Sequence, residues 1–166
     1  MQPAEGIVVA IYIAEKAGAP MTRLAAVDAI AGAGLAGDRY LSGIGYYSPR
    51  DVCQLTLIEE EALDRMSAQH GISVHDGEHR RNLVTRGLRF PDLRGRRFSI
   101  GGVVAEYDRS RPPCGYLERI TQPGMLRAMG EGAGICAAIV SGGMIREGDH
   151  IRLLPDPATR RIPRLP

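Results

Sequence analysis

Lysine is almost missing from this 166-residue chain: Lys16 is the only one among 21 basic residues, so the other twenty are arginines. A GC-rich genome, which favours arginine codons, is the plain explanation for most of that count. Even so, planar guanidinium groups recognise phosphate and carboxylate in a bidentate way that lysine does not. The formal net charge of +2 is too small to argue for nucleic acid as a partner. Cysteine is also scarce. Cys53, Cys114 and Cys136 lie far apart with no CxxC pair, so neither a zinc knuckle nor a thioredoxin-like dithiol is indicated. Their odd number argues against a disulfide framework and fits a reducing, cytoplasmic setting. The glycine-rich run from Ala31 to Tyr40 is followed by no Gly-Lys-Ser/Thr and opens no helix, which excludes a P-loop and a dinucleotide fingerprint. The apolar run Ile7 to Ala14 has no basic segment before it and is too short to span a membrane, so it reads as a buried strand. There is no internal repeat, no low-complexity block and no sign of a second domain.

What is present is an ordinary globular composition, 44% hydrophobic and 24% charged. It implies one domain over residues 1–154, followed by a Pro/Arg-rich tail over 155–166. A second strand is expected over Leu24 to Ile30, and a long irregular loop over Ser42 to Arg50. Val52 to Ile58 alternates with strand periodicity, which places Cys53 on one face with Leu55 and Leu57 as a core residue. Glu59 to Gln69 is the best helix, with glutamates at its start, an apolar stripe of Ala62, Leu63 and Met66, and Gly71 to stop it. His70, His75 and His79 follow but share no helical face with a third ligand, so a histidine metal site is not expected. Arg80 to Gly87 reads as a short strand dense in anion-binding donors. Arg96–Ile100 and Val103–Tyr107 flank Gly101-Gly102 as a hairpin. Thr121 is expected to cap a short helix closed by Gly130. Ile135 to Val140, holding Cys136, is a core strand; Gly142 to Asp149 reads as a turn, and His150 to Leu154 as a closing strand. Seven or so short strands and two short helices, without regular alternation, predict a mainly β fold: a mixed, closed or nearly closed β-barrel with a few short helices.

The stretch Arg109 to Arg119 carries the chemistry. Pro112 and Pro113 fix the backbone before Cys114, Gly115 lets a ligand approach the main chain, and Arg109, Arg111 and Arg119 put cations nearby in sequence. Such a cysteine suits a nucleophile, a persulfide carrier or a soft metal ligand; the bland alternative is a small buried side chain.

Several stretches together resemble the MOSC domain, named for the C-terminal region of molybdenum-cofactor sulfurase. They are Gly37-Asp38-Arg39, Gln54 to Ile58, Arg80-Arg81-Asn82-Leu83 with Gly87, Gly95 and Gly101, Pro113-Cys114 followed by Leu117-Glu118, and Gly143-Met144-Ile145 with Gly148-Asp149. The match runs over roughly residues 30 to 154. The resemblance implies a barrel like the pyruvate kinase β-barrel domain. It also implies that Cys114 carries sulfane sulfur as a persulfide or ligates the molybdenum of a pyranopterin cofactor. Many members place histidine where this chain has Tyr40, so any proton-handling role at that position is not carried over.

A pyranopterin carries a phosphate, for which Arg81 and Asn82, then Arg39 and Arg109, are the candidate ligands. On an alternating strand Arg81 and Asn82 point to opposite faces, so one should bind while the other braces a loop. One expectation is therefore a molybdenum-cofactor-dependent reductase of N-hydroxylated compounds, with electrons from a separate donor protein, since the chain has no iron–sulfur cysteine cluster. Another is a sulfur carrier fed by a cysteine desulfurase in trans. A third is a non-catalytic cofactor- or anion-binding module. Pyridoxal phosphate is associated with the family, but Lys16 precedes the matched region and nothing in the sequence supports a site for it. No membrane partner is expected.

Overall fold

The structure is a computed structural model that describes residues 5–50 and 52–156. Eleven strands occur in chain order: β1 (Glu5–Ile13), β2 (Thr22–Leu24), β3 (Ala26–Ile30), β4 (Gly34–Leu35), β5 (Leu55–Glu59), β6 (Leu83–Arg86), β7 (Arg97–Ile100), β8 (Val103–Ser110), β9 (Ile135–Ser141), β10 (Gly143–Arg146) and β11 (His150–Leu153). Three helices join them: α1 (Glu60–His70), α2 (Gly115–Ile120) and α3 (Met125–Met129). Seven strands close a mixed barrel in the order β11-β7-β8-β9-β5-β6-β1, and β1 pairs back onto β11. Only β5 and β6 run parallel, with α1 in their connection. The expected closing strand is thus the one that shuts the barrel, and closure leaves it without exposed edges.

Every barrel strand sends apolar side chains into one cluster, including Val8 and Ile11, Leu55 and Leu57, Leu83, Phe98 and Ile100, Ala105, Ala137 and Ile151. Val8 and Ile11 are three residues apart, which strict alternation forbids. A register shift between Val8 and Ala10 resolves this by adding one residue to β1. Beyond that shift Ala10 and Tyr12 face outward, and with Ile58 and Val84 they receive Ala62, Leu63 and Met66 of α1, Leu117 of α2 and Met125 and Met129 of α3. Burying Leu63 or Met66 fully contributes about 1.5–3 kcal/mol each. Gly71 ends α1 in the left-handed conformation, its N–H donating to Ser67 O.

Several expectations are corrected. Cys53 and Cys136 are core residues, but they are also disulfide-bonded, with Cα atoms 5.7 Å apart. Cys53 leads into β5 and Cys136 sits in its barrel neighbour β9, so the fold brings together residues 83 apart in sequence. Cys114 is the free cysteine. Thr121 does not cap α3: its hydroxyl donates to Leu117 O (2.6 Å) at the end of α2, and Gly124 holds the N-cap position of α3 instead. The supposed turn from Gly142 contains β10, which pairs with β3, itself paired with β4, in a second, three-stranded sheet. The strand expected over Leu24 to Ile30 is split into β2 and β3. Residues 157–166 of the expected tail lie outside the described residues.

Candidate functional site

A cavity of about 340 Å³ opens beside Cys114. Its walls come from Ala17 and Gly18 after β1, from the segment after β4 (Arg39, Tyr40, Tyr46, Tyr47), from Arg80 and Arg81 before β6, from Arg109 to Cys114 after β8, and from α2. Among the described residues, five arginines line it and no carboxylate does. Four of the chain's six tyrosines line it as well. A wall of this composition attracts anions and offers flat surfaces to a planar group.

Cys114 is half-buried and sits on the residue before α2, in extended conformation. Burial pushes its thiol up, but hydrogen bonds from the Tyr47 hydroxyl and from the backbone N–H groups of Leu117 and Tyr116, with the charge of Arg81, bring it below the ordinary thiol range. The same contact acts in reverse on Tyr47, whose hydroxyl is pushed up to about 12, first by its hydrogen bond to Cys114 and then by burial.

Arg81 is buried and clamped by backbone: its Nε donates to Ala133 O (2.7 Å) and its Nη2 to Arg111 O (3.4 Å). Burial, then the neighbouring Arg111, lowers its pKa, yet a guanidinium keeps its charge at neutral pH. Arg39 is held by Asp38 (Nη1 to Oδ1, 3.1 Å), donates to Arg80 O (3.4 Å) and lies 4.6 Å over the Tyr40 ring. Asp38 is completely buried and also accepts from the N–H groups of Ala14 and Tyr40, which explains the Gly-Asp-Arg motif as a scaffold for Arg39. Tyr40 accepts from Arg111 Nη2 through its hydroxyl (3.0 Å), so the aromatic residue at this position braces a guanidinium. Arg109 lines the cavity and pairs with Asp108.

Asn82 is not in the cavity. Its Oδ1 accepts from the N–H (3.1 Å) and hydroxyl (2.9 Å) of Thr56, and its Nδ2 donates to Tyr12 O (3.1 Å), tying β1, β5 and the start of β6 together. Arg80 separates the two roles. It has φ 59°, a left-handed conformation unusual for a residue with a side chain, and the chain turns there into β6.

The structure therefore brings Cys114, Arg81, Arg39 and Arg109 together and leaves Asn82 outside. Sequence reasoning missed Arg80, Arg111 and the tyrosines as wall residues. Tyr46 stacks on Tyr116 (centroids 3.6 Å apart, planes 7° apart) and meets Tyr47 edge-on (4.8 Å, 85°). The adjacent pair Tyr46-Tyr47, within a glycine-bearing irregular loop of a chain with only 5% aromatics, was the signal available for them. Gly134, just before β9, is required by close approach: it has φ 99°, and a Cβ there would lie 2.1 Å from Leu57 O. Its carbonyl accepts from Arg111 N–H (2.9 Å), which fixes the approach to Cys114.

The MOSC domain family model matches residues 47–152. Among solved structures, the YuaD protein of Bacillus subtilis superposes with a TM-score of 0.73 at 18% identity, over 92% of this chain and 97% of that one. YiiM of Geobacillus stearothermophilus gives a TM-score of 0.70 at 16% identity, over 90% of this chain and 75% of that one. YiiM of Escherichia coli gives 0.60 at 17%, over 94% and 71%. At these identities the likeness is one of fold. No curated protein matches the chain.

Proposed function

The chain belongs to the MOSC domain family, and on that premise we propose that it binds a molybdenum cofactor in the Cys114 cavity, with the Cys114 thiolate as the protein's ligand to molybdenum. The carrying observation is a half-buried free cysteine, Cys114, on the wall of a cavity that, among the described residues, is lined by five arginines and no carboxylate. The donor set fits the group. A thiolate is a soft ligand suited to a metal–sulfur centre, and guanidiniums suit the phosphate of a pyranopterin. The volume, about 340 Å³, lies within the range of small-molecule sites.

When bound, the cofactor supplies two-electron redox chemistry, such as reduction of an N-hydroxylated compound with electrons from a separate donor protein. The chain's own residues do the positioning. Arg81, Arg39 and Arg109 supply the charge that holds an anionic ligand, Arg81 on backbone carbonyls and Arg39 on the buried Asp38. Tyr46 and Tyr116 build a flat aromatic wall. Asn82 holds the segment leading into β6 that carries Arg81.

A second reading, a sulfane-sulfur carrier, is favoured by the partial exposure of Cys114. There the Cys114 thiolate bonds to the terminal sulfur of a donor persulfide, the donor's S–S bond breaks, and the donor leaves as a thiolate with no net redox change. Such a donor is a desulfurase in trans. Protein purified from a host that makes molybdenum cofactor separates the two. Molybdenum in the wild type that is lost in Cys114→Ser supports the first reading. A sulfur-atom mass increase on Cys114 after treatment with a cysteine desulfurase and cysteine supports the second. Neither result in well-folded protein refutes both.

A further inference from the structure

A second cavity, of about 260 Å³, lies between α1, the 3₁₀ turn Phe90–Leu93, the end of β8 and the start of β9. It adjoins the Cys114 cavity at Ser110, which lines both. Gly134, on its wall, is the residue whose carbonyl holds Arg111 N–H (2.9 Å). The function proposed for Cys114 makes no use of this hollow.

Its composition differs from that of the first cavity. Phe90 and Ile135, both buried, and the ring of Tyr107 give it an apolar floor. Arg65 of α1 and Arg94, which follows the Phe90–Leu93 turn, stand on its walls as exposed side chains. Among the described residues, neither guanidinium has an ion pair or donates a hydrogen bond. Two unpaired guanidiniums around one hollow are complementary to an anion.

Glu59 limits how much negative charge the hollow accepts. One of its oxygens takes Phe90 N–H (3.0 Å), so the carboxylate is fixed beside the floor. A monoanion is balanced by the arginines, whereas a dianion also meets the repulsion of Glu59. Gly132 keeps space beneath Arg65. A Cβ there would meet Ala62 Cβ at 3.4 Å, Met66 Cε at 3.6 Å and Arg65 Nη2 at 4.0 Å, all ordinary contacts, and its backbone is not left-handed. Neither packing nor backbone conformation therefore demands a glycine, and its effect is to leave the cavity open.

We propose that this cavity binds a small organic monocarboxylate with an aromatic or branched apolar body. Arg65 and Arg94 hold the carboxylate, and Phe90, Ile135 and Tyr107 take the body. The volume lies just under the range of about 300–1,000 Å³ common for drug-sized ligands, which suits a molecule of the size of phenylacetate.

The test is titration of the full chain with phenylacetate, followed by backbone amide NMR shifts. The amides of Gly132 and Ile135 should move saturably, while those of Gly18 and Gly115 at the Cys114 cavity stay in place. Arg65→Ala and Arg94→Ala should each weaken binding about tenfold, the loss of one hydrogen bond to a charged group. Both variants should fold normally, because the side chains are exposed and unpaired. Acetate, which lacks the body, and benzyl alcohol, which lacks the charge, should each bind at least about tenfold more weakly. Phenyl phosphate, a dianion, should also bind more weakly than phenylacetate. Absence of a saturable shift up to about 10 mM phenylacetate overturns the proposal, as do shifts confined to the Cys114 cavity. Unchanged affinity in both arginine variants overturns it too, and tighter binding of phenyl phosphate overturns the assigned ligand class. The assay reads amides away from Cys114 and uses neither molybdenum nor a sulfur donor, so its failure is distinct from failure of the proposed function.

Discussion

Replacing Asn82 by alanine should unfold the protein more easily and leave the chemistry of the cavity alone. The side chain makes three buried hydrogen bonds, to Thr56 N–H, to the Thr56 hydroxyl and to Tyr12 O. Thr56, Tyr12 and Asn82 itself are all at most 3% exposed, so no water replaces the lost partner. The Thr56 hydroxyl can rotate, and it already accepts from Asn82 N–H (2.8 Å). Two groups are left stranded: the Thr56 N–H and the Tyr12 carbonyl. At about 1–3 kcal/mol for each buried polar group without a partner, Asn82→Ala should lose about 2–6 kcal/mol. That is a large part of the roughly 5–15 kcal/mol that holds a domain folded. Urea unfolding followed by circular dichroism measures it, with an unchanged m-value as the sign that only stability has moved. At temperatures where the variant stays folded, its Cys114 alkylation profile should match the wild type. If Asn82→Ala instead unfolds within about 0.5 kcal/mol of wild type and loses bound molybdenum, the brace reasoning is wrong and Asn82 reaches the ligand.

Other consequences follow from buried groups. His79 is fully buried, its Nδ1 accepts from Arg81 N–H (2.9 Å), and burial, with Arg81 next, pushes its pKa down to about 3. The unfolded chain takes up that proton near pH 6.5, so stability is complete above that pH and falls by up to about 1.4 kcal/mol per unit as pH drops toward 3. Urea unfolding at pH 7 and pH 5.5 should show a smaller loss in His79→Asn, whose Oδ1 can take the place of Nδ1; identical losses would remove His79 as the cause. The Cys53–Cys136 disulfide closes a loop between residues 83 apart, worth about 4–5 kcal/mol in the chain-entropy account. Thermal unfolding of Cys53→Ala/Cys136→Ala should therefore show a clearly lowered Tm, and an equal Tm would show that the bridge does not restrain the unfolded chain.

The barrel was legible where side chains alternate. Leu55 and Leu57, Ile135 to Ile139 and the closing strand at Ile151 announce themselves, as does α1 through its apolar stripe and Gly71. The second sheet was hidden because β4 has two residues and β10 begins within the Gly142-Gly143 pair, which imitates a turn. The six-residue α2 is too short to show a helical period, and the two prolines before it suggest only a loop. Cys114 stood out because its local chain is distinctive. The disulfide and the tyrosine wall did not, since each joins residues about 70 or more apart and depends on distances that only the closed barrel sets. The pair Arg81 and Asn82 shows the same division: alternation predicts that they diverge, but only the left-handed Arg80 and the contacts to Thr56 and Tyr12 say which one faces the cavity.

The central claim is that the Cys114 sulfur meets molybdenum in the cavity. Its most direct measurement is iodoacetamide labelling of protein purified with molybdenum bound, followed by intact mass, before and after the metal is stripped. The account predicts that Cys114 is blocked in the loaded protein and alkylates once the metal is removed. Full alkylation of Cys114 while the molybdenum stays bound would contradict it.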